Sequence, residues 1–280
     1  PAHSHKQKDC LMQQFTLSRR GVLKAALGAT LMSPALPTFA EITNINDAIN
    51  KAGRQRMLSQ RMAKAWMAMG QSVETGRAEK ILNDSMALFD RQLVELKVFA
   101  PNDDIRATYT TLEQVWSEFK ATLVGTAPDK AAAARLIQLD SRVLKLAHQG
   151  TVQLETVSGK SIGHLVNLAG RQRMLSQRTA KYYLCQSWGA NVSEANKELA
   201  AAQKEFTAAL QTLSTAPEAS TAIKQELAIA AQQWVFFENA LTRLNDGGSS
   251  LPRRATEVFS TSENILQVMD RVTGMYSKLA

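Results

Sequence analysis

The chain has 280 residues, with 33 Lys and Arg against 25 Asp and Glu, a formal net charge of +8. Five of the basic residues and one Asp fall in the first 40 positions, so the remainder carries 28 basic and 24 acidic groups, a net +4. So even a mixture argues against nucleic acid as a partner, and no stretch after residue 40 approaches the ~20 apolar residues needed to cross a bilayer.

Residues 1–40 read as an export signal. Ser18-Arg19-Arg20-Gly21-Val22-Leu23-Lys24 resembles the twin-arginine pattern, a short apolar run follows, and Thr38-Phe39-Ala40 offers a small-residue cleavage site after Ala40. The expected product is a periplasmic protein without a transmembrane segment. Cys10 lies in the signal, which leaves Cys185 in an apolar helical stretch without an internal disulfide partner.

The segment 44–72 carries the string Ala52-Gly53-Arg54-Gln55-Arg56-Met57-Leu58-Ser59-Gln60-Arg61-Met62-Ala63. It returns as residues 169–180 with one change, Met62 to Thr179. The repeat extends further, with Phe89, Leu93 and Leu96 recurring as Phe206, Leu210 and Leu213, and Trp116 recurring one residue later in register as Trp234. Two units are expected, 41–157 and 158–280. Each reads as four helices: 44–72, 77–99, 103–124 and 129–157, then 160–188, 193–214, 218–244 and 253–279. Pro101, Pro217, Gly125 and Gly247-Gly248 mark boundaries. Short connections imply antiparallel neighbours. The expected fold is all-α, two tandem up-down four-helix bundles forming an intrachain pseudo-dimer. The fourth helix is expected to run almost continuously into the fifth, with Gly159 and Gly163 as kinks.

Projection at about 100° per residue separates the motif arginines. Arg56 falls in the middle of an apolar face made by Ile49, Ala52, Ala63 and Met67, and Arg173 repeats this among Val166, Ala169, Ala180 and Leu184. Arg54, Arg61, Arg171 and Arg178 fall opposite, to be solvated or to bind neighbouring helices. Ser59, Gln60, Ser176 and Gln177 border the seam as supporting hydrogen-bond donors. A buried arginine needs compensation. No Asp or Glu lies between Asp47 and Glu74, so the partner is either a carboxylate from another helix, with Glu113, Glu118 and Asp140 as candidates, or an exogenous anion suited to the guanidinium fork. Gly53 and Gly170, one turn earlier, admit close approach of a backbone or a ligand.

The string from Asn50 to Arg61, with its twin beginning at Asn167, resembles the sensory domain shared by the NarX-like nitrate/nitrite sensor kinases and the PilJ-type chemoreceptor N-terminal domains. The resemblance implies a periplasmic four-helix bundle that binds nitrate or nitrite between two symmetry-related first helices. It assigns ligand contact to Gly53 with Arg56 and to Gly170 with Arg173. The chain departs from those receptors in holding two sensory units in one polypeptide, without their flanking membrane helices.

Two functions follow. One is an exported module for a small oxyanion, nitrate or nitrite, presented to a sensor, chemoreceptor or transporter. The other is a helical accessory protein of a membrane or pilus-linked complex, its arginines tied into internal salt bridges. Enzymatic activity is not expected. His148 and His164 are the histidines after residue 40, and no haem-attachment string, zinc spacing or phosphate loop is present, so neither cofactor nor metal is expected.

Overall fold

Short polar residues open three of the helices. Asn44, Asn102 and Asp129 each accept a hydrogen bond from the backbone N–H three residues on, at 2.9, 2.9 and 2.8 Å, which satisfies donors that a helix start leaves free. The structure, a computed structural model, describes residues 41–190, 194–242 and 251–279. Residues 1–40, with the expected export signal and Cys10, and Gly247-Gly248 lie outside the described residues.

The elements are α1 (Ile45–Gly70), α2 (Thr75–Phe99), α3 (Asp103–Gly125), α4 (Lys130–Ser158), α5 (Ser161–Trp188), α6 (Ala195–Thr215), α7 (Thr221–Thr242) and α8 (Leu251–Tyr276). No strand occurs among the described residues. α4 does not continue into α5. Gly159 adopts a left-handed φ of 60°, donates back to the Glu155 carbonyl, and ends α4. Extended Lys160 then precedes a new helix at Ser161. The expected kink at Gly159 is therefore a chain break between helices, and Gly163 lies inside α5.

α1 packs on α2 and α4, and α3 closes on α4; α5 packs on α6 and α8, and α7 closes on α8. The two four-helix sets meet chiefly through α1 against α5, so the fold is a pair of tandem bundles in one chain. The repeated aromatics stack alike in both. Phe89 lies on Trp116 at 4.1 Å between centroids and Phe206 on Trp234 at 3.8 Å, each pair contributing ~1 kcal/mol beyond its buried area. The indole N–H of Trp116 donates to Asp90, that of Trp234 to Thr207.

A two-faced helix was the expectation for α1, and the structure departs from it. Neighbours on most sides bury Asn46, Asn50, Gln55, Ser59, Gln60 and Lys64 along with the apolar residues. Buried polar groups must find partners inside the protein, and that requirement shapes the site.

Candidate functional site

α1 and α5 touch at their glycines. A Cβ on Gly53 would lie 3.8 Å from the Gly170 Cα, 3.2 Å from Arg56 Nη2 and 3.4 Å from Arg173 Nη2. A Cβ on Gly170 would lie 3.1 Å from Arg173 Nη2 and 3.7 Å from Arg56 Nη2. The absence of side chains thus lets two guanidinium groups gather at one helix crossing. Both arginines are fully buried.

Their partners differ. Arg56 donates through Nη2 to Asn167 Oδ1 at 2.7 Å and to the Asn167 carbonyl at 3.3 Å, and its Nη1 lies 3.2 Å from His148 Nδ1. For that last contact to be a hydrogen bond, Nδ1 must be the unprotonated nitrogen. No carboxylate lies within 4.0 Å of Arg56 among the described residues, and its Nε has no hydrogen-bond partner. The candidates Glu113, Glu118 and Asp140 do not compensate it: they pair with Lys97, Arg142 and Lys181. Glu155 makes no ion pair with Arg56: it accepts from the Asn167 amide and acts on the guanidinium only across space. Burial, then Arg171 and Arg173, press the Arg56 guanidinium down to about 9. A cation so placed is electrostatically uncomfortable.

Arg173 donates to the Asn50 carbonyl at 3.0 Å and to Asp270 Oδ1 at 2.5 Å, and Arg54 donates to the same oxygen at 2.8 Å. Burial lowers Arg173 to about 10, against the opposing pull of Asp270. The two halves are therefore not equivalent: one arginine meets an internal carboxylate and the other does not. His148, half-buried beside Arg56, is pushed below the usual histidine range by burial and then by Arg56 and Arg171.

The supporting residues are committed to the frame. Ser59 Oγ donates to the Arg56 carbonyl and Ser176 Oγ to the Arg173 carbonyl. Gln60 donates to Asp140 and Gln177 to the Ser262 carbonyl. Arg61 pairs with Glu263, Arg171 with Glu205 and Arg178 with Glu198, so these outer arginines bind neighbouring helices. His164 is exposed and pairs with Glu155. Cys185 is buried, and burial pushes its thiol up to about 12.

Sequence reasoning missed the lysines one step beyond the repeated string. Lys64 and Lys181 recur at the same offset of 117 residues, and both are buried. Lys181 crosses to α4, donating to Asp140 at 2.6 Å and to Gln60 Oε1 at 2.7 Å. Lys64 crosses to α8, donating to Glu263 at 2.7 Å and Ser262 at 2.9 Å. Each ties its half to the other. It also missed Asn50 and Asn167 as partners of the arginines, although the repetition of both offered a signal. Among the described residues no group of three or more His, Cys, Asp or Glu is set to hold a metal ion, and no helix is long and apolar enough to cross a membrane.

No curated protein and no solved structure matches this chain. The family of type IV pili methyl-accepting chemotaxis transducer N-terminal domains, PilJ, matches it twice, over residues 38–141 and 157–259. These spans hold both glycine–arginine strings and the paired aromatics. The chain carries two tandem copies of the PilJ-type sensory domain and belongs to that family.

Proposed function

We propose that the protein is an exported, periplasmic binding module for a small planar oxyanion, nitrate or nitrite, held between α1 and α5 by Gly53, Arg56, Gly170 and Arg173. Membership of a sensory-domain family supports a sensing role. The bound anion would be presented to a membrane sensor, chemoreceptor or transporter, because a ligand that fits one arrangement of α1 and α5 biases the molecule toward it.

One observation carries this reading. Arg56 is fully buried, lacks a carboxylate partner among the described residues, has an unpartnered Nε, and points to the glycine crossing that Arg173 also reaches. An anion there would relieve the repulsion between the two cations and accept hydrogen bonds from both. Asp270 favours the second reading, an accessory protein without a small ligand, because it already satisfies one of the two arginines.

Calorimetric and thermal titration of the full chain with nitrate, nitrite, sulfate and chloride tests the reading. A ligand of the folded state stabilises it by ~2.7 kcal/mol at a hundred times its dissociation constant. Nitrate or nitrite should raise the melting temperature selectively, and Arg56→Ala and Arg173→Ala should each abolish the rise. Equal weak responses to all four salts would sink it.

A further inference from the structure

On the α4–α5–α6 side of the molecule lies a cleft of about 350 Å³ that reaches the fully buried Arg56 and carries Glu194 and Glu198 in its wall. This volume falls in the range of about 300–1,000 Å³ typical of small-molecule sites, far more than a planar oxyanion needs. The chain itself indicates what the Arg56 end of this cleft lacks.

α1 and α5 match at an offset of 117 residues, so Arg54 and Arg56 correspond to Arg171 and Arg173. α4 and α8 match at an offset of 122, at which Ala133 meets Ala255, Asp140 meets Ser262 and Thr151 meets Thr273. All six are buried. Gln60 and Gln177 donate to the matched Asp140 and Ser262. Thr151 and Thr273 each bond the carbonyl four residues back. In this register His148 stands where Asp270 stands, and Ser141 where Glu263 stands.

On the α8 side, the carboxylate of Asp270 sits in the fork of Arg173 and Arg54. On the α4 side the corresponding fork is Arg56 with Arg171, and no α4 carboxylate stands at the positions matching Asp270 and Glu263; His148 and Ser141 line the cleft there instead. Arg171 turns to Glu205 on α6. Arg56 keeps only Asn167 and His148, and Lys145, exposed on the rim, makes no ion pair among the described residues.

We propose that this cleft binds a small organic carboxylate, whose acidic group occupies beside Arg56 and Arg171 the place that the Asp270 carboxylate occupies in the other half. Arg178 already pairs with Glu198, Lys145 supplies a positive charge to set against Glu194, and Leu144, Met174 and Tyr182 give an apolar wall for the ligand's carbon skeleton. The cleft shares Arg56 with the oxyanion site but does not depend on it.

The test is calorimetry of the full chain with acetate, succinate, citrate and inorganic phosphate at constant ionic strength, with nitrate titrated into the same samples. At least one carboxylate should bind saturably. His148→Asp, which supplies the carboxylate internally, should weaken that binding tenfold or more. Lys145→Glu, an exposed change, should weaken it severalfold while leaving the nitrate titration unaltered, and it carries the test if His148→Asp does not fold. Absence of saturable binding by all three carboxylates, binding of phosphate alone, or undiminished carboxylate affinity in folded variants would overturn the proposal. A chain that binds succinate but not nitrate keeps this site and loses the oxyanion reading.

Discussion

Arg56 and Arg173 bring their guanidinium groups to the same glycine crossing, yet only Arg173 meets a carboxylate, Asp270 at 2.5 Å. A built-in negative charge beside one arginine competes with any anion that approaches from outside. Asp270→Asn removes that competitor while keeping the side chain's shape. Nitrate should bind the variant about tenfold more tightly, roughly 1.4 kcal/mol. The Asp270 side chain is 43% exposed, so the lost ion pair should lower stability by only about 1–2 kcal/mol. Calorimetry and urea unfolding measure the two effects separately, and unchanged affinity would remove Asp270 from any role in setting it.

Gly53→Ala and Gly170→Ala probe the crossing. The added methyl meets mainly the ends of arginine side chains, at 3.2 and 3.1 Å respectively. These tips can shift, and the helix gains up to about 1 kcal/mol from replacing glycine. Stability should therefore change by no more than about 1 kcal/mol in either direction. The nitrate-dependent rise in melting temperature should nonetheless fall sharply, because the methyl occupies the space between the two guanidinium groups. A full nitrate response in both variants would mean that the anion does not sit at the crossing.

Lys181 and Asp140 form an ion pair buried at both ends, with Gln60 completing it. Asp140→Ala leaves a buried ammonium without its countercharge and should cost about 3–5 kcal/mol. The double change Asp140→Leu with Lys181→Met should recover part of that loss, since it removes both buried charges but leaves the buried Gln60 amide without these two partners. Chemical denaturation midpoints of the three proteins decide it. A single variant as stable as the parent would show that the lysine finds water or another partner.

Acid should weaken the α1–α8 contact first. Burial opposes the charge on Glu263, but Lys64 and Arg61 prevail and hold its carboxyl at about 2, from an ordinary value of 4.5. As the pH falls below about 4.5, the unfolded chain takes up this proton before the folded one does. The stability this group contributes is whole above that value and is lost as the pH drops toward 2. Asp270, lowered from 3.8 to about 2 against burial by Arg173 and Arg54, acts in the same direction. Urea unfolding from about pH 6 to pH 2 should show this loss, with a shallower slope in Glu263→Gln.

The helices were legible because their signals are local. The breaks fall beside Pro101, Gly125 and Pro217, and the aromatic repeat marks matching helices. The burial of Arg56 and Arg173 was also legible, since a helical projection sets each in an apolar stripe. The stripe could not reveal that α1 is enclosed on most sides, a property of its neighbours rather than of its own period. Nor could it identify Asp270 or His148, which stand 97 and 92 residues from the arginines they meet. The match between α4 and α8 was hidden by extra residues ahead of α8, which move the offset from 118 at Trp234 to 122 at Ser262. Until that register is found, the two halves look alike.

Only Gly159 and Lys160 separate the end of α4 from the start of α5. So short a tether holds the two sets of helices at a permanently high effective concentration. Dilution, which takes a two-chain site apart, leaves this one whole. Because the two halves are written separately in one polypeptide, a substitution in one is not copied into the other, and a histidine can face an arginine on one side while an aspartate faces its twin.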